Sequence, residues 1–396
     1  MDDLSRGLLT LGALFLLGLA TDAIGRHTPL PRVTLLLIFG FFIGPSAFNL
    51  LPEFSRSWFP VIADMALLMI GFLLGEKLTF SFLRQNGRAV LLICLGVVVA
   101  TVVVMVPGLC LIGVPIDVAL LLAAIATATA PAATSDVVRE LRADGKFTRT
   151  LLGIVAIDDA IGLILFSMML AIAHTLKGQG GASEILLYSG WEIGGAVLVG
   201  LILGIPMAYL TGRIRPGEPT LAEALGMVFL CGGLAIWLDV SFLLASMVMG
   251  GVVANLARHH QRPFHAIENI EWPFMILFFV LAGASLDLGS LSRIGIIGAA
   301  YVIFRVVGRL AGAWTGGTIS HVDPLLNRWM GLALMPQAGV ALGMALVATQ
   351  RFPDLADIIL PIVISATVFF ELIGPIMTRK ALVRVGEVHL RYEHQD

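Results

Sequence analysis

Two adjacent carboxylates, Asp158 and Asp159, lie inside the apolar run GIVAIDDAIGLILF at 153–166. They follow Arg149 by nine and ten residues. On a helix rising 1.5 Å per residue this puts them roughly 14 Å beyond that arginine, near the middle of a bilayer. An ionised group at such depth costs about 3 kcal/mol on the mildest scale, so an acid kept there is a functional candidate by default. Neighbouring helical residues point about 100° apart, so one carboxylate can hold a structural partner while the other faces an aqueous cavity. Carboxylate oxygens suit a small hard cation, and a carboxylate withdrawn from water holds a proton more readily than one in solution. The chemistry on offer is the trading of a cation for a proton at one oxygen cluster. The bland alternative is a hydrogen-bonded pair that only packs helices.

Arg305 and Arg309 are the converse case. Four residues apart, they share a helix face, and arginine stays charged at any physiological pH. Each therefore calls for an acid at similar depth, and Asp158, Asp159 and Glu371 are the candidates; a fixed structural pair and a direct part in transport are both open. Asp22, Glu76 and Asp136 fall near span ends, where a helix-end role suffices. Asp64, Glu192 and Glu223 are secondary candidates. The histidines, among them His174 and His321, lie at span ends or in loops, and His259, His260 and His265 could tune a pH response.

Two segments carry helix breakers at their centres. ATATAPAATSDVV (126–138) holds Pro131 among Thr127, Thr129, Thr134 and Ser135, and MPQAGVALGMAL (335–346) holds Pro336, Gln337 and Gly339. Proline removes a backbone donor and frees a carbonyl. Non-helical backbone at membrane depth is tolerated only where it lines a cavity or is buried in protein. Half-helix ends can then present dipoles and carbonyls to an ion, with Thr129 and Thr134 supplying uncharged oxygen ligands. A proline kink satisfied by its neighbours is the competing reading for either segment alone.

The elements that position these groups follow from hydropathy. The chain has 396 residues, 58% hydrophobic and 13% charged, with mean hydropathy +0.94. A soluble domain carries about 25% charged residues, so this is an all-α polytopic membrane protein. A net charge of −2 gives no basic surface for nucleic acid. Cys94, Cys110 and Cys231 fall in apolar runs and read as packed thiols. The acidic start Met1-Asp2-Asp3 and the absence of a cleavage pattern make the first apolar run a retained span. Stretches long enough to cross a bilayer fall at about 5–25, 31–50, 58–76, 89–113, 116–138, 149–173, 187–211, 220–238, 240–257, 267–286, 293–319, 327–350 and 355–378. With thirteen spans and the N-terminus outside, eighteen of the 25 basic residues fall on the cytoplasmic side and five outside, leaving Arg305 and Arg309. That asymmetry supports N-out, C-in. The chain 1–396 reads as one transmembrane domain, its tail after about residue 380 too short to form a soluble regulatory domain.

The broken fifth and twelfth spans are seven apart and so cross in opposite directions. Each is followed by a span with a central acid, Asp158 and Asp159 in the sixth and Glu371 in the thirteenth. Spans four to six and eleven to thirteen thus read as inverted copies with crossing broken helices, the plan of a secondary transporter with its site at the midplane. The copies show in hydropathy and breaker placement rather than in sequence identity. A sodium-coupled symporter of an organic solute could share that plan. No filter-like repeat, metal-ligand cluster or nucleophile motif points to a channel or an enzyme.

PRVTLLLIFGFFIGPSAF (31–48), IADMALLMIGFLLGEKL (62–78), TATAPAATSDVVREL (127–141), Asp158-Asp159, FFVLAGASLDL (278–288) and ELIGP (371–375) together resemble the cation/proton antiporter superfamily, in particular its bacterial monovalent cation:proton antiporter-2 branch. The resemblance implies a core bundle and a dimerisation bundle, a homodimer in the bacterial inner membrane, and an elevator-like exchange. In it Asp159, with Asp158 beside it, alternately binds H+ and a monovalent cation, Na+ before Li+ or K+, with no cofactor. Family members with paired aspartates carry a lysine in a Gly-Lys-x-x-Gly pattern, where this chain reads Gly308-Arg309-Leu310-Ala311-Gly312; Arg305 offers a second alignment. Unlike lysine, arginine does not release its proton, which argues against a second titrating proton.

Overall fold

The computed structural model describes residues 3–27, 32–52, 58–76, 78–79, 87–177, 182–211, 220–257, 261–284, 288–337 and 339–388. Among them are fifteen α-helices: α1 (Asp3–His27), α2 (Arg32–Ile43), α3 (Trp58–Glu76), α4 (Gly87–Leu111), α5 (Ile116–Ile125), α6 (Pro131–Glu140), α7 (Lys146–Lys177), α8 (Ala182–Thr211), α9 (Thr220–Trp237), α10 (Phe242–Leu256), α11 (Gln261–Ala284), α12 (Leu288–Ile319), α13 (Pro324–Ala333), α14 (Gly339–Arg351) and α15 (Ala356–Val385). Every predicted span has its helix, and the fifth and twelfth are each two half-helices, α5 with α6 and α13 with α14. Six described helices are individually long and apolar enough to cross a membrane, and shorter apolar helices such as Ile116–Ile125 accompany them. The second span is shorter than its hydropathy predicts. Its helix stops at Ile43, where Gly44-Pro45-Ser46 turns the chain, because proline cannot donate the next helical bond.

Close backbone approach sets the frame around the broken helices. On α12, Gly308, Gly312 and Gly316 recur every fourth residue and lie against Thr101, Gly96 and Ile93 of α4. A Cβ at Gly96 would stand 2.6 Å from the Gly312 carbonyl oxygen, so the two helices meet where neither has a side chain. Small residues of this kind drive helix association where lipid gives no hydrophobic force. The contact fixes α12 and directs its Tyr301, Arg305 and Arg309, all fully buried, at the two breaks. The buried thiols Cys94 and Cys231 pack in the core and none of the three cysteines is in a disulfide.

Helix ends are satisfied in ways the local sequence explains. Ser241 caps α10 by accepting from the Leu244 amide at 3.3 Å, and Asp323 caps α13 through the Leu325 amide at 2.8 Å. Gly386, at φ 82°, closes α15 in the left-handed conformation that glycine alone adopts without cost. The next residue, Glu387, caps a different helix. Its carboxylate accepts from the Phe147 and Thr148 amides of α7, each at 2.8 Å, and from the Thr148 hydroxyl at 2.9 Å. The chain after α15 is thereby fastened to the first turn of the helix that carries Asp158 and Asp159.

Candidate ion-binding site

The break between α5 and α6 runs from Ala126 to Ala130, and Pro131 opens α6 rather than kinking a continuous helix. Proline suits that first position, since its missing N–H would have no helical partner there. The second break lies between Ala133's successor Leu334 and Gly339, with Pro336 inside it. Each leaves carbonyls at the end of one half-helix and amides at the start of the next. Partial negative charge gathers at the ends of α5 and α13 and partial positive charge at the starts of α6 and α14.

The side chains follow that polarity. The Arg305 Nε donates to the Ala126 carbonyl at 3.1 Å, its Nη1 to Met335 at 2.9 Å and its Nη2 to Ala128 at 3.0 Å. The Arg309 Nη1 donates to the Leu334 carbonyl at 2.9 Å, and its Nη2 donates to Ala128 at 2.8 Å and to Thr127. Two guanidinium forks from α12 thus bind the carbonyl ends of both breaks, and the breaks must lie side by side. Four residues before Arg305 on the same stripe, the Tyr301 hydroxyl accepts from Gln337 Nε2 at 3.2 Å, and Gln337 also reaches the Ile125 carbonyl at 3.4 Å. The carboxylate goes to the opposite pole: Asp159 Oδ1 accepts the Thr129 amide at 3.1 Å, just ahead of the first turn of α6.

Asp158 and Asp159 face different neighbours, as adjacent helical positions must. Asp158 Oδ2 meets Arg309 Nη1 at 3.4 Å and its Oδ1 receives the Cys94 thiol at 3.5 Å. The Arg309 contact is long for a charge-assisted hydrogen bond and the thiol contact is ordinary for sulfur, so Arg309 is bound by the helix-end carbonyls as well as by the acid. Asp158, Asp159, Arg305 and Arg309 are all 0% exposed. Thr129 and Thr134 are buried as well, and neither hydroxyl oxygen has a hydrogen-bond partner among the described residues. Both idle oxygens belong to the broken fifth span whose Thr129 amide binds Asp159.

The predicted acid for every arginine is found for one of them. Arg305 is neutralised by helix-end carbonyls and by the Phe370 ring, 4.1 Å from its Cζ, rather than by a carboxylate. Glu371 takes the Thr34 hydroxyl of α2 at 2.6 Å and takes no part in the bonds that tie the arginines to the breaks. Residue types alone point only to acids as balance for a buried guanidinium; the fold supplies seven carbonyl bonds to the two arginines at two open helix ends instead. Tyr301 was also passed over, although its spacing of four and eight residues from the arginines places it on their face.

The inverted copies agree in more than hydropathy. Gly162, three residues after Asp159, lets α7 close on the first break, where an added Cβ would stand 2.8 Å from the Thr127 hydroxyl. Gly374, three residues after Glu371, does the same on the second break, 2.6 Å from Pro336 Cα. The segments read Asp159-Ala160-Ile161-Gly162 and Glu371-Leu372-Ile373-Gly374, a four-residue likeness that hydropathy alone does not reveal. Of the secondary candidates, Asp64 and Glu192 lie away from this centre, His265 pairs on the surface with Glu268 at 3.3 Å, and His259 and His260 lie outside the described residues.

Comparison with known proteins gives a consistent picture. The family model described as the transmembrane sodium/hydrogen exchanger matches residues 11–384. The ammonium/H+ antiporter subunit AmhT of Alkalihalophilus pseudofirmus is 22% identical over 325 residues, covering 78% of this chain and 80% of its own. The low-affinity Na+/H+ antiporter NhaS1 of Synechocystis is 25% identical, covering 93% and 72%. Among solved structures, the sodium proton antiporter MjNhaP1 of Methanocaldococcus jannaschii superposes with a TM-score of 0.78 at 20% identity, over 98% of this chain and all of that one.

Proposed function

The chain belongs to the sodium/hydrogen exchanger family and is a multi-pass membrane antiporter exchanging Na+ for H+; from that premise, we propose that the two ions compete for the Asp159 carboxylate. The organic-solute symporter left open by the inverted plan has no support in the family match. The observation that carries the reading is the junction at Asp159. A fully buried carboxylate rests on the amide side of one broken helix, beside a segment with two idle threonine hydroxyls.

Asp159 binds Na+ or H+ alternately, and Thr129 and Thr134 complete the cation's oxygen shell. Arg305 and Arg309 neutralise the carbonyl ends of both breaks, so the site can lose its cation without leaving uncompensated dipoles. Asp158 lies beside the binding carboxylate and holds Arg309. Glu371 ties the second repeat to α2 rather than entering the shell. The protein works as a homodimer in the bacterial inner membrane, N-terminus outside, with a core bundle moving against a dimerisation bundle to alternate access.

The test is proton flux in proteoliposomes under an imposed pH gradient, with Na+, Li+, K+ and NH4+ added in turn. Na+ should dissipate the gradient in the wild type and leave it intact with Asp159→Asn. Near-normal Na+-driven flux in a folded Asp159→Asn protein would overturn the assignment.

A further inference from the structure

At the end of the bundle where α7 finishes, a cavity of about 190 Å³ opens between α3, α7, α8, α10 and the last turn of α14. Its charged lining is three carboxylates, Asp64, Glu192 and Asp239, against one guanidinium, Arg351. Two of the acids are engaged: Asp239 pairs with Arg351 at 2.6 Å, and Asp64 accepts from Gln350 at 2.9 Å. Glu192 is different. It is 2% exposed, borders the cavity, and makes no hydrogen bond or ion pair within contact distance among the described residues, feeling Arg351 and Asp239 only through space. A carboxylate taken from bulk water and given no donor is costly unless a proton or a cation neutralises it. The cavity exceeds by roughly tenfold the ~15 Å³ a single water needs, so it accommodates a cation with part of its water shell.

The cavity's position connects it to the exchange site. Phe166, also 2% exposed, forms part of its wall and lies seven residues beyond Asp159 on the same helix. That is two turns, about 10 Å along α7. The cavity therefore ends on an apolar side chain two turns from Asp159. In the orientation proposed above, this is the outer face.

We propose that Glu192, assisted by Asp64, forms an outer binding station for a hydrated monovalent cation, separated from Asp159 by the Phe166 ring. The proposal rests on the antiport reading of Asp159. The station raises the local cation concentration at the outer mouth, and Arg351 tempers it by occupying Asp239.

The experiment compares Na+-driven proton flux in right-side-out and everted membrane vesicles, so that each face meets the added Na+ separately. Glu192→Gln should raise the apparent KM for Na+ at the outer face about tenfold, the effect of one charge a few ångströms away at intermediate dielectric. The inner-face KM and the maximal rate should stay within about twofold of wild type. Glu192→Asp should restore the outer KM, and Arg351→Gln should lower it. An unchanged outer KM in Glu192→Gln, an equal shift at both faces, or an outer KM raised by Arg351→Gln overturns the station. If Glu192→Gln fails to accumulate as folded protein, Asp64→Asn and Arg351→Gln decide by their opposite signs. Failure of the underlying antiport reading shows separately, as exchange in the unsubstituted protein that ignores Na+ or survives Asp159→Asn.

Discussion

At the scale of single residues, the site is organised by polarity rather than by pairing acids with bases. Guanidinium groups occupy the carbonyl ends of broken helices and a carboxylate occupies an amide end, each where the helix dipole favours it. This gives Arg305 a definite requirement. It forks to three carbonyls from two different breaks, a geometry that a lysine ammonium on a flexible stem does not reproduce. Arg305→Lys should therefore cost about 2 kcal/mol, since charge-assisted bonds are each worth about 1.5–3 kcal/mol. A melting curve in detergent tests this, and a Tm equal to wild type would show that one ammonium suffices. The threonines answer a different question. If Thr134 lends its idle hydroxyl to the cation, Thr134→Val should raise the KM for Na+ about fivefold, the equivalent of one neutral hydrogen-bonding group, while leaving the Tm close to wild type. An unchanged KM would remove Thr134 from the shell. Sequence reading found the charged members of this site because charge is costly at depth. It gives no signal for Tyr301, whose hydroxyl costs little, and it leaves Arg305 among three candidate acids because the free carbonyls that bind it carry no residue identity.

At the scale of elements, hydropathy alone located every span, because a membrane helix must satisfy its backbone internally and so advertises its length in apolar residues. Chain direction at the breaks was legible too, since Pro131 and Pro336 stop a helix for a stated chemical reason. Tertiary fastenings were not. Glu387 lies beyond the last helix, in a stretch that reads as polar tail, yet it supplies three hydrogen bonds to α7. It acts as an N-terminal cap from a distant part of the chain, in the place where a local Ser, Thr or Asp usually serves. Glu387→Ala should destabilise the protein by about 1 kcal/mol, with a carboxylate at the helix start adding up to about 1 kcal/mol more through the dipole. Thermal denaturation of that variant beside Arg379→Ala, which removes a surface pair with Glu140 at 3.2 Å, separates the two effects. The exposed pair should contribute little, and equal losses in both variants would show that the cap has no special value.

At the scale of the whole molecule, the question is how much charge crosses per cycle. On the mechanism proposed above, Asp159 leaves one side with Na+ and returns with H+, and both loaded forms carry the same net charge. A second proton would have to come from another titrating group in the moving core. Arg309 does not supply one, since arginine keeps its proton, and Asp158 is held against that permanent cation at 3.4 Å. The geometry thus favours one-for-one exchange without net charge movement. Competition for one carboxylate also fixes the sign of the pH response: lowering the pH fills the site with protons, so the KM for Na+ should rise as pH falls, approaching tenfold per pH unit once protons dominate. Electroneutrality has its own sharper test. In proteoliposomes holding a roughly tenfold Na+ gradient, flux should vanish against an opposing gradient of about one pH unit. An imposed potassium diffusion potential should leave that balance point unmoved. A balance point that follows the potential would mean that a second proton travels, with Asp158 as the group able to carry it. Arg309→Lys makes the comparison decisive, because lysine offers a proton that a buried site can release. If the arginine is what holds the exchange to one proton, the balance point of that variant should become potential-dependent while the unsubstituted protein's does not.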